Sequence, residues 1–382
     1  MKFRVDRDVL ADAVAWVARS LPTRPSLPVL AGMLVDARDG EIVVSSFDYE
    51  TSARVTVPAE VAAEGTVLVS GRLLADISRS LPAQPVQVEA DGGKVVVTCR
   101  SARFTVATLP VEDYPELPDM PTASGSVKGD VFAAAVSQVA VAAGRDDMLP
   151  VLTGVRIEID GESVTLAATD RYRLAVREFT WSPEQPDISA TALVPARVLA
   201  DTAKAFASGS DVTIALAEAG SGGGEGLVGF SGSSGGATRR TTTRLLDGEF
   251  PKYRTLFPAD QQTLVKVQTA PFVETLKRVA LVAERNTPIR LTLADGMATL
   301  EAGSSDEAQA SESLEATIEG EPLTIGFNPQ YLLDGLGVLE TPVAQFAFTL
   351  PTKPAVLTGL ADFDAEPNPD YRYLLMPVRL QS

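Results

Sequence analysis

Apolar and polar positions along this 382-residue chain follow an order that is spelled three times. Residues 3–21, FRVDRDVLADAVAWVARSL, open with alternation and then switch to helical spacing, so that Leu10, Val14, Val17 and Leu21 form one apolar stripe. Residues 126–144 (SVKGDVFAAAVSQVAVAAG) and 266–284 (KVQTAPFVETLKRVALVAE) repeat that strand-then-helix form. Each is followed by two alternating runs broken at a glycine-containing turn: MLVDARDGEIVV (33–44), VRIEIDGESVTL (155–166) and IRLTLADGMATL (289–300). That pattern predicts a β-hairpin. Near-identical hexamers, LPVLAG (27–32) and LPVLTG (149–154), introduce the first two hairpins; the third lacks one.

A second helix recurs in VSGRLLADISRSL (69–81), VPARVLADTAKAF (194–206) and GFNPQYLLDGLGVL (326–339). Ser70 and Asn328 offer caps, and Pro195 stands near a first turn. The first two copies leave through similar exits, FTVATLPVEDYPELP (104–118) and TTTRLLDGEFPKYRTLFP (241–258). The expectation is an α+β chain of three tandem repeats, divided at 1–122, 123–260 and 261–382. The glycine-rich 219–236 places Gly224, Gly226 and Gly229 in a GxGxxG spacing. No helix could follow it, so it predicts a hairpin loop and no dinucleotide site.

Composition narrows the chemistry. The chain is 45% apolar and 22% charged, as globular chains are. The charged start MKFRVDRDVL has no signal core, and no apolar run reaches the ~18 residues of a spanning helix. Together with the single cysteine, Cys99, this predicts a cytoplasmic protein with no membrane partner. The absence of histidine removes Ser-His-Asp and Cys-His nucleophile systems and HExxH zinc sites. No cofactor or metal is expected, and enzymatic function is disfavoured.

A net charge of −17 argues against nucleic acid only if it is evenly spread. The predicted helices carry Arg7, Arg19, Arg72, Arg79, Arg197, Lys204, Lys277 and Arg278 against an equal number of acids, so the excess lies in strands and loops. Arg24, Arg145 and Arg285 flank helices, and a surface built of helices would be locally more positive than the rest.

The ordered set LPVL, ATDRYRLAV (168–176), DGEFPKYRTLFP (247–258), IGFNPQYLLDGL (325–336) and YLLMPVRL (373–380) resembles the bacterial DNA polymerase III β subunits, the sliding clamps. The resemblance runs through essentially the whole chain. It implies a head-to-tail homodimeric ring with helices inside and sheets outside, holding a polymerase on duplex DNA without reading sequence and without catalysis. Helix packing agrees: six helices about 10 Å wide close a hole of only ~10 Å, whereas twelve leave ~30 Å, enough for a duplex roughly 20 Å across.

By the same resemblance Arg24, Arg72, Arg79, Arg145, Arg197, Lys277 and Arg278 face DNA. A pocket for short linear peptides from the replicative polymerase, the clamp loader, other polymerases and repair proteins would take Leu152, Thr169, Arg173 and Leu174 from the middle repeat. Pro251 and Leu256 would come from its exit, and Leu374, Met376, Pro377, Val378 and Arg379 from the C-terminal run. Its aliphatic and thioether surface suits apolar anchors. Arg171 and Tyr172 stand where many members have Gly-His, Thr255 where arginine is common, and Pro354 where a small polar residue lines the pocket. The chain also continues to Gln381 and Ser382. The joint between protomers would set Phe104 and Val106 against the partner's copies of Leu281 and Val282. A clamp-like ring or scaffold that binds peptides in a specialised, duplicated role would read the same way.

Overall fold

The computed structural model describes residues 1–207, 211–216, 226–284, 287–303 and 308–380. Gly224, Arg285, Gln381 and Ser382 lie outside the described residues. Six helices fall where the periodicity places them: α1 Arg7–Val17, α2 Gly71–Ser80, α3 Gly129–Ala140, α4 Ala196–Phe206, α5 Thr269–Ala280 and α6 Pro329–Gly337. Several end sooner than the apolar stripe, because the last turn tightens; Ala18–Ser20 after α1 is a 3-10 turn. Asn328 caps α6, its side chain accepting from the backbone N–H of Gln330 and Tyr331. Ser70 precedes α2 but makes no side-chain cap bond.

The chain gathers into two compact units. The first comprises Met1–Ala133, Asp160–Glu162 and Thr180–Leu246; the second comprises Ala134–Ile159, Ser163–Phe179 and Asp247–Ser382. Their limits fall inside the middle repeat, because sheets run on across the joins between repeats.

In the first unit a 14-stranded sheet is continuous through a seam where Thr51–Pro58 pairs antiparallel with Ala237–Arg244, from Thr51↔Thr243 to Thr56↔Thr238. Hydroxyls rivet the seam: Thr51 Oγ1 to Thr243 Oγ1 at 3.1 Å and Ser52 Oγ to Thr242 Oγ1 at 2.6 Å. α1 and α2 bury Leu10, Val14, Val17, Leu74 and Ile77 against strand residues such as Val44, Val55 and Val97. The strand Leu227–Ser234 adjoins the seam, so the glycine-rich stretch is not loop throughout. Gly229 is needed inside it because a Cβ there would lie 2.9 Å from Met120.

In the second unit Arg173–Thr180 pairs with Tyr371–Leu375, from Arg173↔Leu375 to Arg177↔Tyr371, joining middle and last repeats in one sheet. A separate four-stranded sheet holds Gln309–Glu315, Met297–Gly303, Ile289–Ala294 and Leu323–Phe327 in that order. Its hairpin turns at Asp295 and Gly296, both with positive φ (53° and 73°), as the first repeat turns at Asp39 and Gly40 (51° and 78°). This is the Asp-Gly geometry whose twist matches paired strands.

The repeated hexamers form matching 3-10 turns, Pro28–Ala31 and Pro150–Thr153, leading into strands Gly32–Arg38 and Gly154–Asp160. Among the described residues no helix is long and apolar enough to cross a membrane.

Candidate functional site

The second unit concentrates polar chemistry around Arg173, whose side chain is only 4% exposed. The ATDRYR segment makes this possible by turning sharply. Asp170 Oδ1 accepts from the backbone N–H of Tyr172 and Arg173 at 3.0 and 3.1 Å. Thr169 Oγ1 accepts from Arg171 N–H and donates to the Arg173 carbonyl at 2.6 Å. Arg171 takes φ 80°, a region that favours glycine, so the turn is kept at some backbone cost.

Buried there, the guanidinium is held at two of its nitrogens. Its Nε donates to Asp170 Oδ2 at 3.0 Å, and Nη1 donates to Asp334 Oδ2 on α6 at 2.5 Å. Tyr373 Oη lies 3.4 Å from Nη1, and the Tyr331 ring sits 4.4 Å beneath the guanidinium carbon. Burial alone would lower the Arg173 pKa; Tyr373, Asp334 and Asp170 outweigh it and hold the charge more firmly than usual. Burial likewise pushes the Tyr373 hydroxyl well up, so it stays a donor, to the Tyr331 carbonyl at 2.8 Å.

This ionic knot supports an apolar rim. Tyr172 stacks on Tyr331 at 6.3 Å, is 54% exposed, and its carbonyl accepts from Met376 N–H at 2.8 Å. Met376 and Leu256 are exposed large apolar residues of the same unit. Leu152 is half-buried at the end of its 3-10 turn, its carbonyl taking the Gly144 N–H at 2.7 Å. Pro354, Pro377 and Val378 are half-buried, while Pro251, Thr255 and Arg379 are exposed. Leu174 and Leu374, a directly opposed pair, are buried at 1% and 2%. They lie beneath the exposed residues of the segment rather than at its surface. Asp334, Tyr331 and Tyr373, which position Arg173, escape sequence reasoning because they stand far along the chain.

A second ionic group flanks the exit segment. Tyr253 Oη donates to Glu158 Oε2 at 3.0 Å, and Arg254 also pairs with Glu158. Burial pushes the Glu158 carboxyl up, but hydrogen bonds from Arg254, Arg156 and Tyr253 prevail and hold it below its ordinary value. The Tyr253 hydroxyl is pushed up to about 12, first by burial and then by Glu158.

The expected DNA-facing cations are all exposed. Arg72 donates to the Pro22 carbonyl at 3.3 Å, and Arg79 lies 3.7 Å from Asp76. Lys277 is paired with Glu274 and Arg278 with Glu312, which leaves both less free for phosphate than Arg24 and Arg197. At the expected joint Phe104 is 37% exposed, whereas Val106 is 6% exposed and packs in the core of the first unit. Leu281, just past α5, is 84% exposed, and Val282 is half-buried. Among the described residues no group of acidic or cysteine side chains could hold a metal ion.

Models of three domains of the DNA polymerase III beta subunit match in chain order: the N-terminal domain at residues 1–118, the central at 126–252 and the C-terminal at 254–379. The chain is 64% identical over 380 residues to a protein named Beta sliding clamp from Streptomyces coelicolor, covering 100% of both. It is 48% identical over 379 residues to a Beta sliding clamp homolog, GriR, from Streptomyces muensis, covering 99% of each. The fold superposes on the Pseudomonas aeruginosa DnaN sliding clamp bound to griselimycin with a TM-score of 0.86 at 27% identity, over 100% of both chains. A Bacillus subtilis sliding clamp matches at TM-score 0.86 and 25% identity, again over 100% of both. Three beta-subunit domains in series over nearly the whole chain make it a member of the DNA polymerase III beta-subunit family.

Proposed function

We propose that this chain is a sliding clamp: two copies close head to tail around duplex DNA and tether the replicative polymerase, conferring processivity without catalysis. The observation that carries the reading is the succession of three beta-subunit domains over nearly the whole chain. The repeats are taken to divide at 1–122, 123–260 and 261–382.

Free sheet edges support the closed dimer. The strand Ala102–Leu109 is paired along one side by Lys94–Cys99, but along the other only at Thr108 and Leu109. Gln309–Glu315 ends its four-stranded sheet. Each edge offers backbone groups that a partner strand can pair with. Phe104 and Leu281 would supply the apolar contact. Arg24, Arg72, Arg79, Arg145, Arg197, Lys277 and Arg278 would lie along the bore, where weak phosphate contacts hold the ring without stopping it. The apolar rim above Arg173 would receive short linear peptides from the polymerase, the clamp loader and repair proteins, in the cytoplasm.

The test is topological. Protein loaded onto nicked circular DNA should stay bound and leave when the circle is linearised; equal retention on both forms overturns the reading. The similarity to the homolog GriR favours one second reading, a duplicated clamp in a specialised role. Failure of this chain to sustain replication as the sole clamp of a cell would select it.

A further inference from the structure

In the first unit a cavity of about 360 Å³ opens between the end of α1, the loop that follows it and the start of α4. Its floor is the seam itself, where Thr51, Ala53 and Thr241 are all buried. Trp16, buried in the core and 7% exposed, is the one aromatic residue of the lining. Arg19, Arg24 and Arg197 line the mouth, all exposed, and among the described residues none has an ion-pair or hydrogen-bond partner. Arg79, Lys277 and Arg278, by contrast, each have a carboxylate partner.

Two carboxylates share the lining. Asp48 is turned into its own loop, accepting from the N–H of Glu50 and Thr51 at 3.0 and 2.7 Å. Asp201 on α4 has no such engagement among the described residues. A site for a bare anion would not place a free carboxylate beside three guanidiniums. A ligand that carries both a phosphate and N–H donors on a flat ring would use all of them.

We infer that this cavity binds a single unstacked nucleotide. Its phosphate lies on Arg24 and Arg197 with Arg19 beside them, its base against Trp16, and an exocyclic amine donates to Asp201. Guanidinium forks match phosphate, aromatic faces stack on bases, and a carboxylate accepts from a base amine. The volume sits at the small end of the roughly 300–1,000 Å³ in which clefts hold small ligands, and a duplex cannot enter it. The site needs one chain only and does not depend on ring closure. The same chemistry is offered by a free mononucleotide and by the unpaired end of a DNA strand.

Only two tryptophans occur, Trp16 and Trp181, so a Trp181→Phe background isolates Trp16 emission in the full-length protein. Titration with dAMP, and separately with a 5′-phosphorylated single-stranded oligo-dA, should change that emission saturably. Deoxyadenosine should bind about tenfold or more weakly, since it lacks the phosphate. Arg24→Gln with Arg197→Gln, both exposed and without an ion-pair partner among the described residues, should abolish saturation by either probe while the unfolding transition of the variant is checked against the parent. Asp201→Ala, which removes the acceptor, should erase a preference for dAMP over dTMP. Equal affinity for dAMP and oligo-dA assigns a free nucleotide; about tenfold tighter binding of oligo-dA assigns a strand end. No saturation by either probe, or unchanged binding in the arginine double variant, overturns the site. Arg24 and Arg197 belong to the proposed bore as well, so the two readings are separated by Asp201 and Trp16 rather than by the arginines: retention on circular DNA is measured on the parent protein and on the Asp201 variant, which should keep it.

Discussion

The two hexamers LPVLAG and LPVLTG take one backbone form and two environments. Both make a 3-10 turn that opens with proline and hands the chain to a strand. In the first, Val29 and Leu30 are buried with Leu68, and Tyr114 packs over them. In the second, no residue of the turn is buried, and Val151 and Leu152 are left half-open. Val151 packs near Gly248 of the exit segment, and the Leu152 carbonyl takes the Gly144 N–H. Local sequence therefore sets the turn, but what folds over it decides whether the same leucine serves the core or remains available at a surface. The exit tyrosines show a parallel split. Tyr114 Oη accepts from Phe47 N–H at 2.7 Å on the apolar side, while Tyr253 Oη donates to Glu158 on the ionic side.

The sharpest way to break the comparison is to remove a charge from the ionic region. Arg173→Ala strands Asp170 and Asp334 and should cost about 3–5 kcal/mol in urea unfolding. A loss below about 1 kcal/mol would show that the knot is incidental. Next comes the apolar region, where Leu30→Ala empties a packed site and should cost about 2–5 kcal/mol in the same measurement. Leu152→Ala should cost only about 1 kcal/mol, yet weaken a fluorescent clamp-binding peptide about tenfold. If Leu152→Ala destabilises as much as Leu30→Ala, the two copies have not diverged in role.

The smallest effects are in pH. Glu158 is held low in the fold, so its stabilisation is present above its unfolded value and is lost as pH falls below about 4.5 through its depressed value. Glu158→Gln should flatten the acid limb of the stability curve. Tyr114, raised to about 12 mainly by burial, and Tyr253, raised to about 12, stay protonated in the fold after their unfolded counterparts ionise near 10. Their contribution is complete below pH 10 and disappears between 10 and 12. Tyr114→Phe and Tyr253→Phe should each flatten the alkaline limb.

Elements with local causes were legible in the sequence. Helical stripes, alternating strands and Asp-Gly turns are set by residues a few positions apart, and all six helices stand where their periodicity puts them. Their ends were less so, because Ala18–Ser20 closes as a tighter turn although its composition continues the helix. Pairings over long separations left no local mark. Arg173 meets Asp334 across 161 positions and Tyr373 across 200, and nothing near Arg173 announces either. Val106 shares an alternation with Phe104, yet only Phe104 lies where the core runs out. The threonine-rich 237–244 gives no sign that its partner strand belongs to another repeat.

That last pairing has a consequence for the chain as it is made. Thr51–Pro58 leaves the ribosome about 190 residues before Ala237–Arg244, the separation of the bonded Ser52 and Thr242. At ~5–20 residues per second the strand waits roughly 10–40 s for its neighbour. It alternates Ala53, Val55 and Val57 inward, and an unpaired edge of that kind recruits other chains. Arg54 and Pro58, both exposed on the outer face, are the residues that discourage such pairing. They guard the nascent chain during the interval and become ordinary surface once the seam has closed.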